Sequence, residues 1–339
     1  MSAERGLPHR RIVFDSHAHG TQLLPRPVAA LNRLLRPGQP RDTGFGTLRT
    51  TEVDGIVVSA VGDKLVTQFR WPASAWRAVL DQFAMIRREA KAGGCALVAT
   101  SAEIMLAMEH RRTAVVLGLE GADTLAGDLR RLNVLHDLGV RVVGVMHFSD
   151  NPFGTICMGF TGATSGTEVA AGRKRGLTEL GGELVDNLNA KDMLIDVSHA
   201  DEETVLGMCE RSSRPVISSH TGARALDDFP RYLSDRAMVA IAATGGVVGL
   251  WPYRGQGHGM ETFDHFASHA RHIASLVGVA HVAIGTDMNG VPGLTKGYEG
   301  PQHISRLVDA LEHGGFSDAD IDAIMGGNVM RLLTRHDRR

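Results

Sequence analysis

The sequence predicts an α/β fold, a (β/α)8 TIM-type barrel, as a single domain over residues 1–339. Three observations predict it. Eight short apolar runs alternate with segments of helical period along the 339 residues. Two of the runs, MLIDV and PVIS, end alike in Ser198-His199 and Ser219-His220, and the amphipathic segment from Asp201 to Arg211 between them is long enough for a right-handed crossover helix. Finally, residues of metal-ligand type follow most of the runs, so a parallel sheet would gather them at its carboxyl end, where such barrels keep their chemistry.

Taken in order, IVFDS (residues 12–16) is a first strand that runs into His17-Ala18-His19. Side chains two apart in a strand share a face, so the two histidines point together into the barrel mouth. Residues 25–51 are rich in Pro, Gly and Arg and read as an insertion over that mouth. Asp54 to Ala60 is the second strand. A helix follows from about Ser74 to Lys91, its core face including Trp76 and Phe83. The brief apolar run Ala96 to Ala99 is read as lying outside the main sheet, and Ser101 starts the next helix with Glu103 in its first turn. TAVVLGLEGAD is the third strand, ending at Glu120. After a helix across Asp128 to Leu138, VRVVGVMHF is the fourth, with His147 at its end. Residues 149–176 lack periodicity and read as a long active-site loop. A helix from Leu177 to Ala190 leads to the paired fifth and sixth strands. VVGLW is the seventh strand and HVAIGTD the eighth, ending at Asp287. The last helices span Ile304 to Leu311 and Ser317 to Leu333, the latter opened by a capping box of Ser317 with Asp320.

Composition excludes several roles. With 43% hydrophobic residues the chain buries a large core. Its 36 basic and 38 acidic residues leave a net charge of -2, which offers nucleic acid or an anionic membrane no general attraction. Cys95, Cys157 and Cys209 show no CxxC spacing and cannot all pair, which fits a reducing cytoplasm. The polar start MSAERGLPHRR has no apolar signal region, and no run approaches the ~20 residues of a spanning helix. The expectation is a cytoplasmic protein with a small-molecule substrate.

Collected from the strand ends, His17, His19, Glu120, His147, His199, His220 and Asp287 form a metal-ligand inventory. Four imidazoles and a carboxylate can hold two divalent ions, the Glu bridging them, with a position left for hydroxide. Two metals ~3.5 to 4 Å apart activate water and polarise a scissile carbonyl, so hydrolysis of an amide follows. Taken singly, each histidine could be a satisfied polar group, Glu120 a salt-bridge partner and Asp287 a turn cap; their shared end argues otherwise. His110, His136, His265, His269, His272 and His313 fall on helical or loop positions and are read as solvated surface. His258, in GQGHG, stays open.

The strings GLEGAD, LGVRVVGVMHF, GLTELGGELVDNLNAKDMLIDVSHAD, VISSHTGAR, FPRYLSD, HVAIGTDMNG and GGNVMRLL, in this order, resemble the membrane (renal) dipeptidase family, a branch of the metal-dependent amidohydrolase barrels. The resemblance implies a dinuclear zinc dipeptidase, one that can take a D-residue on the carboxyl side. In it Glu120 bridges the ions, His17 serves one, and His199 and His220 serve the other. It further implies that His147 stabilises the oxyanion, that Arg231 holds the substrate's terminal carboxylate, and that Asp287 shuttles the proton. Members of the family often form homodimers. The family usually carries His-x-Asp after the first strand, whereas this chain has His17-Ala18-His19. Exchanging carboxylate for imidazole removes a negative charge, which weakens the first metal position and alters metal preference. Two other readings stand beside this one. His19 also suits an amidohydrolase-type enzyme acting on a lactone, cyclic amide or phosphoester, and a silent barrel serving as a binding partner would normally have lost a ligand.

Overall fold

The computed structural model describes residues 10–20, 43–68, 74–159, 175–255 and 257–334. Eight parallel strands follow one another around a nearly closed barrel: β1 Phe14–His19, β2 Gly55–Val61, β3 Ala114–Glu120, β4 Val140–Gly144, β5 Leu194–Asp196, β6 Val216–Thr221, β7 Val248–Leu250 and β8 Val282–Ile284. Strands covered on both faces need no polar alternation, which is why GIVVSAV and AVVLGLE are buried from end to end. Closure comes from β1 meeting the segment just past β8. Ala18 bridges Met288 in parallel, the His19 N–H donates to the Met288 carbonyl at 2.8 Å, and the Asp287 N–H donates to that of His17 at 2.9 Å.

The eight main helices are α1 Ala75–Ala92, α2 Ser101–Glu109, α3 Arg131–Asp137, α4 Glu179–Ala190, α5 Glu202–Arg211, α6 Asp235–Ala243, α7 Phe263–Val277 and α8 Ile304–His313. Six of them start on a side-chain oxygen that accepts a backbone N–H of the first turn: Ser74, Thr100, Thr178, Asp201, Ser234 and Thr262. Among the described residues, no helix is long and apolar enough to cross a membrane.

Inside the barrel the central layer is small and polar. The Ser16 hydroxyl donates to the carbonyls of Ser219 and Ile284, at 2.7 and 2.6 Å. Glycine at 249 and 285 makes room for this, since a Cβ there would lie 1.9 and 1.8 Å from the Ser219 carbonyl oxygen.

Three sequence expectations need correction. Ala96–Val98 is not outside the sheet: it pairs in parallel with Ala114 to Val116 of β3. That edge is open because β4 begins its pairing only at Leu117. The expected helix from Ser317 to Leu333 is interrupted by a wider turn at Ala323–Gly327, although its capping box of Ser317 and Asp320 is present. Here Gly326 packs on the backbone entering β1, where a Cβ would lie 2.5 Å from the Ile12 carbonyl oxygen. His269 is not at the surface. It is 3% exposed, its Nδ1 accepts the Ala223 N–H at 2.9 Å, and its ring meets Tyr232 edge-on at 5.2 Å. Of the two expected insertions, residues 25–42 and 160–174 lie outside the described residues. Within 43–51, Phe45–Leu48 forms a helical turn that buries Phe45 and Leu48.

Burial pushes the His269 imidazole down to about 4. The unfolded chain, titrating at its ordinary value of about 6.5, therefore binds more protons than the folded one between these two values, and stability falls as pH drops through that window. His269→Ala is expected to flatten this acid sensitivity while costing about 1–3 kcal/mol at neutral pH through the orphaned Ala223 N–H. Urea unfolding at pH 7 and pH 5 checks both.

Candidate functional site

The strand ends deliver the expected residues to one place. His17 and His19 close β1, Glu120 closes β3 and His220 lies in β6. His147, His199 and Asp287 each follow a strand by three residues, after Gly144, Asp196 and Ile284. All seven are buried. His199 and Asp287 stand in the left-handed region, with φ of 69° and 52°. For non-glycine residues that conformation costs roughly 1–2 kcal/mol and persists where neighbours enforce it. The His199 carbonyl accepts the Cys157 N–H at 2.9 Å, and Asp287 is tied to β1 as described above.

The imidazole Nε2 atoms converge on Glu120. Those of His17 and His19 are 3.3 Å apart, and lie 3.4 Å from Oε1 and 3.2 Å from Oε2 respectively. Those of His199 and His220 are 3.2 Å apart, and lie 3.2 and 3.7 Å from Oε1. The Nε2 of His147 is 3.5 Å from Oε2. Asp287 Oδ1 reaches His19 Nε2 at 3.4 Å. Behind four of the rings, Nδ1 is held from outside, whereas that of His199 is buried without a partner. His19 Nδ1 donates to the Ser59 carbonyl at 3.1 Å, and the Ser219 hydroxyl lies 2.9 Å from His220 Nδ1 and 3.3 Å from His17 Nδ1. His147 Nδ1 bonds the Asp63 carboxylate. A partner at Nδ1 sets the tautomer, leaving Nε2 to serve the centre.

Burial opposes every charge here, and the groups answer it differently. Against burial, the charges of His147 and His17 and the close Nε2 atoms of His19 and His199 hold the Glu120 carboxyl well below the usual range. Burial works against a charged His19 too, yet Asp287 and Glu120 push it up to about 10. His199 and His220 are driven well below an ordinary imidazole, first by burial and then by cationic neighbours, Arg231 among them. His199 and His220, neutral beside an ionised Glu120, are in the state that binds metal, whereas His19 would give up its proton on binding.

The donor set fits such ions. Neither Glu120 oxygen has a hydrogen-bond partner, although both are buried. A tetrahedral ion with bonds of ~2.0–2.2 Å sets its ligand atoms roughly 3.3–3.6 Å apart, close to the separations within the His17, His19, Glu120 group and within the His199, His220, Glu120 group. Asp196 also lies within reach of His17 and His220. Its oxygens are already used, accepting the N–H groups of Ser198 and Ser219 at 3.0 and 2.9 Å and the Ser219 hydroxyl at 2.5 Å.

The flank of the site is aromatic and cationic. Arg231 is 4% exposed, its Cζ lies 5.0 Å from the Trp251 ring centre, and its Nη2 has no partner. The Trp251 ring is 5.4 Å from that of His220 and stacks on Tyr253 at 4.2 Å. The open question of His258 is answered: it bonds Asp227 at 2.6 Å and stacks on Phe229 at 4.8 Å, clear of the imidazole cluster. Sequence reasoning missed Asp63, Asp196 and Ser219, which hold the rings from behind. Gly290 was missed as well. A Cβ there would lie 2.1 Å from Asp287 Oδ1 and 2.6 Å from His19 Cδ2, so glycine lets those two groups approach.

Glu120→Gln is expected to remove most of the bound metal, because both imidazole pairs share that carboxylate. His19→Ala is expected to remove only the share held with His17. Elemental analysis of both variants beside the parent protein checks this.

A family model described as membrane dipeptidase (peptidase family M19) matches residues 1–338. An uncharacterized dipeptidase of Schizosaccharomyces pombe is 30% identical over 280 residues, covering 79% of this chain and 64% of that protein. Dipeptidase 3 of Macaca fascicularis is 26% identical over 287 residues, covering 84% of this chain and 57% of its own. The chain thus spans less than two thirds of either relative. Among solved structures, a metallo peptidase from Rhodobacter sphaeroides, liganded with a phosphinate mimic of the dipeptide L-Ala-D-Ala, superposes with a TM-score of 0.77 at 21% identity, covering 96% of this chain and 99% of that one. At that identity the likeness speaks for the fold.

Proposed function

The chain belongs to the membrane dipeptidase family, and from that premise we propose that it is a zinc-dependent dipeptidase with two ions per chain, able to accept a D-residue on the carboxyl side of the scissile bond. One ion would be held by His17 and His19, the other by His199 and His220, with Glu120 between them. When bound, such ions activate water and polarise the scissile carbonyl.

The observation that carries the choice of substrate is Arg231. A buried guanidinium whose Nη2 has no partner is well matched to an anion, and a planar carboxylate meets it with two parallel hydrogen bonds. A dipeptide brings that carboxylate at its C-terminus, which a neutral lactone or cyclic amide lacks; an anionic phosphoester would also meet the guanidinium and is separated by the assay below. Beside Arg231, the Nε1 of Trp251 and the hydroxyl of Tyr232 are also buried without partners, further donors on the same flank. His147, whose Nδ1–H is taken by the Asp63 carboxylate, presents Nε2 inward and, as the imidazolium with both nitrogens protonated, would donate to the oxygen that gains charge as the carbonyl becomes tetrahedral. Asp287, whose Oδ1 is buried and unpartnered, would take a proton from the attacking water and return it to the leaving amine. The mimic bound by the Rhodobacter sphaeroides protein has the L,D configuration, which supports testing that stereochemistry here.

The test is a panel of L,L- and L,D-dipeptides run beside a lactone, a cyclic amide and a phosphodiester, on protein whose metal content has been measured. Amino-acid release from dipeptides alone is expected; turnover of the lactone or phosphodiester without dipeptide cleavage would overturn the reading. Arg231→Ala is expected to cost about 1.5–3 kcal/mol in kcat/KM for free dipeptides, roughly 10- to 150-fold. It should change little for C-terminally amidated ones, and steady-state kinetics on both substrates separates the cases.

A further inference from the structure

One fully buried acid lies outside the candidate ligand set and still reaches the site. Asp63, two residues past β2, is 0% exposed, and the side-chain partner of its carboxylate is His147. Its two oxygens divide their work. Oδ1 accepts the Val66 N–H at 3.0 Å and so caps the helical turn Lys64–Thr67, while Oδ2 bonds His147 Nδ1. The cap alone would be served as well by an amide or a hydroxyl. The second oxygen is therefore left to be explained.

The backbone around it is arranged for close approach. The Gly62 N–H donates to the Glu120 carbonyl at 2.8 Å, tying the end of β2 to that of β3. Gly121, at φ +82°, has no side chain where a Cβ would lie 3.2 Å from His147 Cβ and 3.3 Å from the Asp63 nitrogen. Three strand ends thus meet almost backbone to backbone, with the carboxylate on one side of the imidazole ring and Glu120 on the other. A ring held by its Nδ1–H has one nitrogen left for the centre, and it is Nε2, 3.5 Å from Glu120 Oε2.

We propose that Asp63 is a positioning residue for the reaction, gripping His147 through Nδ1–H so that Nε2 is aimed at the reacting oxygen. This rests on the reading of His147 as donor to that oxygen. Removing a single donor of this kind typically lowers kcat by ~10²–10³-fold, and misaiming it has a loss of the same order as its ceiling.

Asp63→Asn is the discriminating variant, since its amide oxygen can keep the cap on Val66 while its amide nitrogen cannot accept Nδ1–H. In the metal-loaded full chain with an L,D-dipeptide, the expected result is a kcat at least ~10-fold lower with KM little changed. Because Asp63 acts through His147, the same substitution should cause no further loss in a His147→Ala background. An unchanged kcat, or an equal loss in both backgrounds, would overturn the proposal. A second measurement needs neither turnover nor the variant's folding: in ¹⁵N-labelled parent protein, His147 should show a downfield Nδ1–H resonance. Its absence overturns the proposal. Its presence, together with no dipeptide cleavage by the parent, upholds the Asp63–His147 link and overturns the dipeptidase reading alone.

Discussion

A carboxylate taken out of water must be answered by hydrogen bonds or by charge, and in this barrel Glu120 is surrounded by imidazole nitrogens 3.2–3.7 Å away while neither of its oxygens has a hydrogen-bond partner. An uncompensated buried anion would cost several kcal/mol, so much of the molecule is committed to keeping five rings turned toward it. The commitment is visible in unrelated places. A carbonyl of β2, that of Ser59, holds His19. A hydroxyl of β6, that of Ser219, holds both His17 and His220 and is itself held by Asp196. Glycines 249 and 285 exist opposite that serine because nothing larger fits. The small, polar interior of the barrel is thus the foundation of the site above it.

How much of this could be read in the sequence depends on what sort of signal each residue leaves. A histidine directly after an apolar run is conspicuous, and His17, His19, His147, His199 and His220 were all legible in that way. Glu120 and Asp287 followed once the strands were aligned at one end. Asp63 carries no such mark: it follows the strand by two residues in VGDK, as an ordinary cap would, and its second role depends on the strand packing that brings His147 alongside. Asp196 sits inside LID and reads as the last residue of a strand. His269 was misread although a signal existed, since Phe266, His269, Ala270 and Ile273 share one buried face of α7 at helical spacing. The short strand Ala96–Val98 could not be placed, because the vacancy it fills depends on where β4 begins to pair.

The exchange of an acid for His19 has a definite electrostatic meaning. With Nδ1–H committed to the Ser59 carbonyl, the ring would meet a cation through Nε2, giving up there the proton that Asp287 and Glu120 otherwise hold on it. The acids closest to the Nε2 cluster are then Glu120 and Asp287. Two divalent ions there would be less fully neutralised than in a centre with a further carboxylate, leaving a stronger pull on any anionic group nearby. Arg231 adds to that pull from the flank, as its effect on His199 and His220 shows.

The barrel's seam lies where β1 meets the segment after β8, and the residues on its two sides, His17 and His19 against Asp287 and Met288, are separated by almost the whole described chain. Contacts so distant in sequence carry the largest loop-closure penalty and are expected to form late. The groups that would grip the first ion therefore come into being only when the ends have met. Any cation bound there favours the closed ring over every open precursor by mass action, and the centre would double as the latch of its own container.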